Sequence, residues 1–100
     1  MKKIQIKNRY TNEIMFEIEA KNMKEAVEKA VKEEKSLFNA DLSKSDLSNA
    51  NLSNANLYEA NLSNANLSNA NLSKSDLVGV KITKKQGPEF LKALNIKVEE

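Results

Sequence analysis

The sequence has no Cys and no His, and it contains only two Gly, one Pro and five aromatic residues. Without Cys there are no disulfides and no thiolate metal sites. Without His the chain lacks the commonest general base and the commonest metal ligand. A glycine-rich phosphate-binding loop is also absent. We therefore expect a protein that is not an enzyme and that uses no metal, cofactor or small-molecule substrate.

Long apolar runs and an excess of one charge are missing too. No stretch approaches the roughly 20 apolar residues of a membrane span. The first residues, 1–4, are basic but lack the apolar run of a signal peptide. Sixteen basic and fourteen acidic residues give a net charge of +2, and both signs are mixed along the chain, unlike a nucleic-acid-binding surface or an acidic imitation of one. We expect a cytoplasmic protein that binds neither nucleic acid nor membrane.

What the chain does contain is a repeat with a period of five. Residues 40–79 form eight units without a gap, each with Ala or Ser first, Asn or Asp second and Leu third. The flanking segments 35–39 and 80–84 fit the pattern loosely. The third positions of the eight units are Leu42, Leu47, Leu52, Leu57, Leu62, Leu67, Leu72 and Leu77.

A period of five matches neither an α-helix nor a long strand, but it suits short extended segments joined by corners. The first and third residues of a unit are two apart, so they point to the same side of an extended segment. We predict that this side, with its small and Leu side chains, is the interior. The Asn or Asp between them points outward, and Asn, Asp and Ser favour turns.

This pattern resembles the pentapeptide-repeat family, whose motif is Ala-(Asp/Asn)-Leu-x-x. The resemblance implies a mainly β fold, a right-handed quadrilateral parallel β-helix with four units in each coil. Residues four units apart would then stack at about 4.8 Å, the usual spacing between strands. Residues 35–84 would form about 2.5 coils of this solenoid. The four repeat acids, Asp41, Asp46, Glu59 and Asp76, would fall on different sides or heights, so they form no metal site.

The residues before the repeats predict a β-hairpin and a capping helix over 1–34. Residues 3–19 alternate between apolar and polar around a turn-rich segment, 8–12, as a hairpin does. Asn22 is a predicted helix N-cap, with Glu25 placed as in a capping box. We expect the helix to cover the first coil. A hairpin and helix before the repeats also resemble the start of some bacterial and phage-like members of the family.

The residues after the repeats, 85–100, predict a helical cap, so that the three parts form one compact domain. Pro88 suits the start of a helix and Asn95 its end, and Ile96 and Val98 suggest a short strand. Phe90, Leu91 and Leu94 form an apolar stripe. They either cap the repeats or form a dimer contact, since some family members dimerise through this segment.

One outer position of the repeats departs from its usual Ser. Phe38, Tyr58 and Val78 occupy the fourth position in units that are four units apart, so they would form one column on one outer side. The column either packs against the N-terminal cap or is a contact surface for another protein or a second copy, because an exposed apolar strip with aromatics is typical of interfaces.

Three functions remain open from the sequence. The first is a non-catalytic scaffold or protein-interaction module of unknown partner. The second, implied by the resemblance, is a DNA mimic that modulates DNA gyrase, but this chain is nearly neutral and too short to imitate a long duplex. The third is a minimal or engineered solenoid without a partner, because the repeats are unusually uniform.

Overall fold

The computed structural model describes residues 1–95, and over this range the protein is a small, mainly β structure. Neither of its α-helices is long and apolar enough to cross a membrane. The strand predicted at Ile96 and Val98 lies outside the described residues. The elements in chain order are β1 (Lys2–Asn8), β2 (Ile14–Ala20), α1 (Met23–Lys32), β3 (Ala40–Asp41), a 3-10 helix (Lys84–Gln86) and α2 (Gly87–Ala93).

β1 and β2 form the predicted β-hairpin. They pair antiparallel with Ile4 opposite Ile18 and Ile6 opposite Phe16, which places these four residues on one face. A register shift next to Ile6 pairs Ile14 with Lys7 and leaves Ile14 52% exposed. The loop is closed by Asn8, whose side chain accepts a hydrogen bond from the backbone N–H of Tyr10 at 2.8 Å. Local hydrogen bonding by Asn therefore turns the chain where the alternating pattern breaks.

The helix α1 begins as the sequence predicts. The side chain of Asn22 accepts a hydrogen bond from the backbone N–H of Glu25 at 2.9 Å, which confirms the N-cap. The predicted capping box is not formed, because the carboxylate of Glu25 accepts from the backbone N–H of Lys21, at 3.4 Å, and not from that of Asn22. The same carboxylate lies 3.6 Å from the ammonium of Lys29. Val27 and Ala30 are buried in the same core as the repeat leucines, so α1 packs against the start of the repeats.

The repeats stack in parallel, each unit on the one that lies four units further along the chain. Typical backbone bonds run from the N–H of Leu42 to the carbonyl of Asn61 and from the N–H of Asn61 to the carbonyl of Ala40, each 2.9 Å long. We call four consecutive units one layer, so that residues 20 positions apart lie in neighbouring layers. The parallel bridges join Asp41 to Asn61, Asp46 to Asn66, Asn51 to Asn71, Asn56 to Asp76 and Asn61 to Lys81.

Each corner of the repeats is a turn that places the fifth residue of the unit in the left-handed region. The N–H of the next unit's first residue donates to the carbonyl of the preceding Leu, as from Ala50 to Leu47 at 3.1 Å. Asn tolerates positive φ better than most residues, which explains its frequency there. The fifth residues with positive φ are Asn39, Lys44, Asn49, Asn54, Glu59, Asn64, Asn69, Lys74 and Gly79.

The Asn or Asp at the second position of each unit fixes the backbone just before that turn. Its side-chain oxygen accepts a hydrogen bond from the N–H two positions later, as in Asn61 to Ser63 at 2.9 Å. This local Asx bond occurs in all eight strict units. The preference for Asn or Asp at this position is therefore explained by a hydrogen bond within the same unit.

The inner leucines form the core that the repeat predicts. Leu42 to Leu72, taken at every fifth position, are at most 2% exposed. Leu77, in the last strict unit, is only partly buried but still packs against the core. Full burial of a Leu side chain contributes about 1.5–3 kcal/mol, so this row of leucines is the main apolar support of the stack.

Backbone bonds from the flanking segments close part of each end of the stack. At the first layer, β1 pairs antiparallel with β3, so the sheet order is β2-β1-β3. At the last layer, the backbone N–H of Leu72 donates to the carbonyl of Ala93 at 2.7 Å. Such pairing satisfies edge groups that would otherwise be open.

The side chain of Gln86 closes a corner at this second end. Its oxygen accepts from the N–H groups of Asn64 and Thr83, and its nitrogen donates to the carbonyls of Leu62 and Ala65, over distances of 2.7–3.0 Å. Gln86 is buried. One amide side chain therefore takes the place of backbone partners that a further repeat unit would supply.

Candidate interaction surface

Phe38, Tyr58 and Val78 lie together on one outer side of the stack, and we call them the outer column. The rings of Phe38 and Tyr58 stack with centroids 5.4 Å apart and planes 16° from parallel. The three residues are 45%, 38% and 64% exposed, in that order. The column is therefore not covered by the N-terminal cap, because even its most shielded member keeps over a third of its surface open.

The tip of the hairpin lies beside the outer column. The hydroxyl of Tyr10 donates to the carboxylate of Glu59 at 2.7 Å, and the guanidinium of Arg9 donates to the carbonyl oxygen of Glu59 at 3.0 Å. The guanidinium also lies 4.8 Å from the centre of the Tyr10 ring, a cation–π contact. Tyr10 is 59% exposed, so it adds a third aromatic side chain to this surface.

Two sets of hydrogen bonds influence the electrostatics of the repeats. Donation to the Glu59 carboxylate raises the pKa of Tyr10, because loss of the phenol proton would break that bond and place two negative charges together. Elsewhere, bonds from the hydroxyl and backbone N–H of Ser48 lower the pKa of Asp46 by stabilising its charged form. Tyr10 therefore keeps its proton near neutral pH and donates a hydrogen bond to Glu59.

Sequence reasoning missed Arg9, Tyr10 and Glu59 as members of this surface. Arg9 and Tyr10 looked like ordinary loop residues, and their contacts with Glu59 span 49 or 50 positions of the chain. One signal was available, because Glu59 is the only acid at the fifth position of a strict unit. The sequence did not show where the hairpin tip would lie.

The three C-terminal candidates separate into two groups. Phe90 and Leu94 are partly buried and pack against the core of the repeats. Leu91 is 41% exposed. Phe90 and Leu94 therefore help to close the end of the stack, and Leu91 is the one of the three residues that faces solvent.

The arrangement of groups around the outer column suits binding. Stacked rings supply apolar contact area, and a phenol and a guanidinium supply hydrogen bonds at its border. Tyr, Phe and Arg are enriched in protein interfaces, where Tyr and Arg often carry much of the binding energy. The surface can therefore form a small contact with a protein partner.

Comparison with known proteins identifies the repeats. A family model for pentapeptide repeats matches residues 36–73 and 45–83, with eight copies of the repeat. No curated protein and no solved structure matches the chain. The matched residues are those that stack four units apart and carry the buried leucines and the Asx bonds. The chain is therefore a pentapeptide-repeat protein, with its repeats in residues 36–83.

Proposed function

We propose that this protein is a non-catalytic scaffold that binds another protein through the outer column. The observation that carries the proposal is the exposed stack of Phe38 on Tyr58, with Val78 beside it. Surface aromatics are costly to leave in water, and a continuous apolar strip with a polar border is typical of a contact site. The second position and most fourth positions of the other units are polar, so the strip is distinctive on this surface.

The contact is expected to be small. Stable protein interfaces bury about 800 Å² on each partner, and three partly exposed side chains supply only a fraction of that area. Tyr10 and Arg9 extend the surface along the hairpin tip, which raises both the area and the number of polar contacts. We therefore propose a weak or transient contact, or one that is strengthened by a second site.

The finer form of the repeat stack is part of this proposal. Residues that bridge in parallel are four units apart, which supports a four-sided coil. Parallel strands joined by a crossover are right-handed in about 98% of cases. We propose a right-handed quadrilateral solenoid of about two and a half coils, which would present the outer column along one flat side.

A second copy of the chain is the other partner to consider, through Leu91 of the C-terminal segment. The supporting observation is the exposure of Leu91 beside the packed Phe90 and Leu94. Sedimentation equilibrium over a range of concentrations tests this contact. Self-association that is lost in Leu91→Lys supports it, and a monomer at all concentrations contradicts it.

The outer column is tested by quantitative capture from cell lysate with the natural chain, Tyr58→Lys and Ser68→Lys. Ser68 is a fourth-position residue of another unit, so Ser68→Lys adds the same charge outside the column. We expect one or more proteins to bind the natural chain and Ser68→Lys but not Tyr58→Lys, with all three equally stable to heat. Equal capture by all three would exclude the column as the contact surface.

A further inference from the structure

We infer that the protein binds an extended peptide segment at the open backbone edge of its first layer, between α1 and residues 51–56. A cleft of about 700 Å³ lies there. Glu28, Val31, Lys32 and Lys35 line it on the helix side. This site is separate from the outer column and does not depend on the function proposed for the column.

The next layer shows what this edge would bind. There, the carbonyl oxygens of Asn71 and Ser73 accept hydrogen bonds from the backbone N–H groups of Leu52 and Asn54, at 2.8 and 3.0 Å. The equivalent acceptors one layer earlier are the carbonyl oxygens of Asn51 and Ser53, and both residues line the cleft. Among the hydrogen bonds of residues 1–95, no donor reaches either oxygen.

A third backbone group on the same edge, the N–H of Asn51, already has a side-chain partner. In the next layer, the N–H of Asn71 donates to the carbonyl of Ala50 at 2.9 Å. Here the equivalent N–H, that of Asn51, donates to the Glu28 carboxylate at 2.8 Å. A side chain from α1 thus replaces one backbone acceptor of the missing strand, and the two carbonyls beside it keep their capacity to accept.

The edge is open because the repeat pattern begins only with this layer, so no earlier layer stacks on it. The positions that would stack on residues 51–54 from one layer earlier are 31–34, and they belong to the end of α1 and the turn that follows it. The end of α1 lies near the edge, but the N–H groups of residues 33–35 donate to carbonyls of the helix itself and so do not pair with the edge. The cleft is therefore the place that one side of an earlier layer would fill.

These features define the occupant as a peptide in extended conformation, parallel to residues 51–54. Two of its N–H groups, on alternate residues, would donate to Asn51 and Ser53, which is strand addition to a sheet edge. The cleft lies within the roughly 300–1,000 Å³ of typical ligand sites. Lys32 and Lys35 are balanced by Glu28 and Glu34 in the lining. The backbone pattern, more than net charge, would therefore select the peptide.

The test uses a peptide with the sequence of residues 49–55, acetylated and amidated at its ends, added to the isotope-labelled full chain. Within the protein this segment donates the equivalent bonds to the next layer, so the peptide carries donors at the required spacing. We expect NMR shift changes at millimolar peptide for the amides of Glu28, Val31, Asn51 and Ser53. Amides beside the outer column should not shift.

The matched control peptide is N-methylated at its Leu and at the Asn that follows Ser, the residues that correspond to Leu52 and Asn54. These changes remove the two donor N–H groups and leave every side chain of the peptide in place. We expect the control to bind at least about fivefold more weakly, since two hydrogen bonds together are worth about 1–3 kcal/mol. Equal binding of the two peptides, or no shift with either, would overturn the inference.

Variants of the protein give an independent check. Lys32→Trp fills the cleft from an exposed position at the end of α1, and it should abolish binding. Lys21→Trp places the same residue before the helix, and Tyr58→Lys changes the outer column; both should bind the peptide as the natural chain does. Loss of binding in Tyr58→Lys would place the peptide on the other surface and contradict the edge site.

Discussion

The carboxylate of Glu59 lies over the backbone of Gly79, so close that a Cβ on residue 79 would overlap the Oε2 atom. The other oxygen of the same carboxylate accepts a hydrogen bond from the hydroxyl of Tyr10, at 2.7 Å. Gly79 also has φ of +74°, a conformation that costs glycine less than any residue with a side chain. A glycine in the last strict unit therefore leaves room for the side chain that holds the tip of the N-terminal hairpin.

Gly79→Ala is expected to lower the free energy of unfolding by about 1–3 kcal/mol, from left-handed strain and displacement of Glu59. Gly87→Ala is the control, because nothing lies within 4 Å of a Cβ there and φ is −49°. It should leave stability unchanged or raise it slightly. Urea unfolding measures both, and equal effects of the two substitutions would contradict the assigned contact.

Lys44→Asn should stabilise the protein by about 0.5 kcal/mol. Lys44 has φ of +61° at a corner where the other units mostly carry Asn, and Asn occupies this region more easily than Lys. The reverse change, Asn49→Lys, places Lys at the equivalent corner of the next unit and should cost a similar amount. Thermal unfolding of both variants decides the matter, and shifts of the same sign would refute the explanation.

Gln86→Leu should lower the free energy of unfolding by about 2–4 kcal/mol, because the buried amide makes four hydrogen bonds to backbone groups and its loss leaves those groups unpaired. Gln5→Leu, at an exposed position of β1, should change stability by less than about 0.5 kcal/mol. The two variants are compared by chemical denaturation. A small loss for Gln86→Leu would mean that water replaces the amide.

Stability should depend on the charge of Asp46 at acid pH. Because the pKa of Asp46 is lower in the folded protein, its carboxylate contributes stability above the unfolded pKa of about 3.9. That contribution is lost as the pH falls through the folded value. Asp46→Asn keeps the acceptor but does not titrate, so its melting temperature should fall less steeply below about pH 4. Parallel acid profiles of the two proteins would oppose this assignment.

Paired cysteines test the four-unit layer directly, since the natural chain has no Cys. Ser53→Cys with Ser73→Cys places thiols four units apart in sequence on neighbouring strands about 4.8 Å apart, within the range for a disulfide. We expect rapid oxidation, seen by thiol titration and mass spectrometry. Ser53→Cys with Ser68→Cys, three units apart, should stay reduced. Rapid bonding in the second pair would exclude the proposed layer.

Much of the fold could be predicted because the determining interactions are local. The first and third residues of each unit face the core, and the side chain of the second residue accepts a hydrogen bond from the backbone two positions later. The same local structure is therefore repeated in all eight units. Asn22 likewise caps α1 through a bond to Glu25. The hairpin follows from alternation around a loop closed by Asn8. Periodicity and short-range hydrogen bonds are visible in a single sequence.

The sequence by itself determined the repeat, its inner leucines and the column of Phe38, Tyr58 and Val78, since all of these depend on spacing. Only the tertiary structure decided that Tyr10 reaches Glu59, that Glu28 occupies the edge beside Asn51 and that Gln86 closes the other end. Each of these side chains acts on backbone or carboxyl groups that are distant in the chain. Their partners depend on how the end segments pack against the stack, and no local pattern encodes that packing.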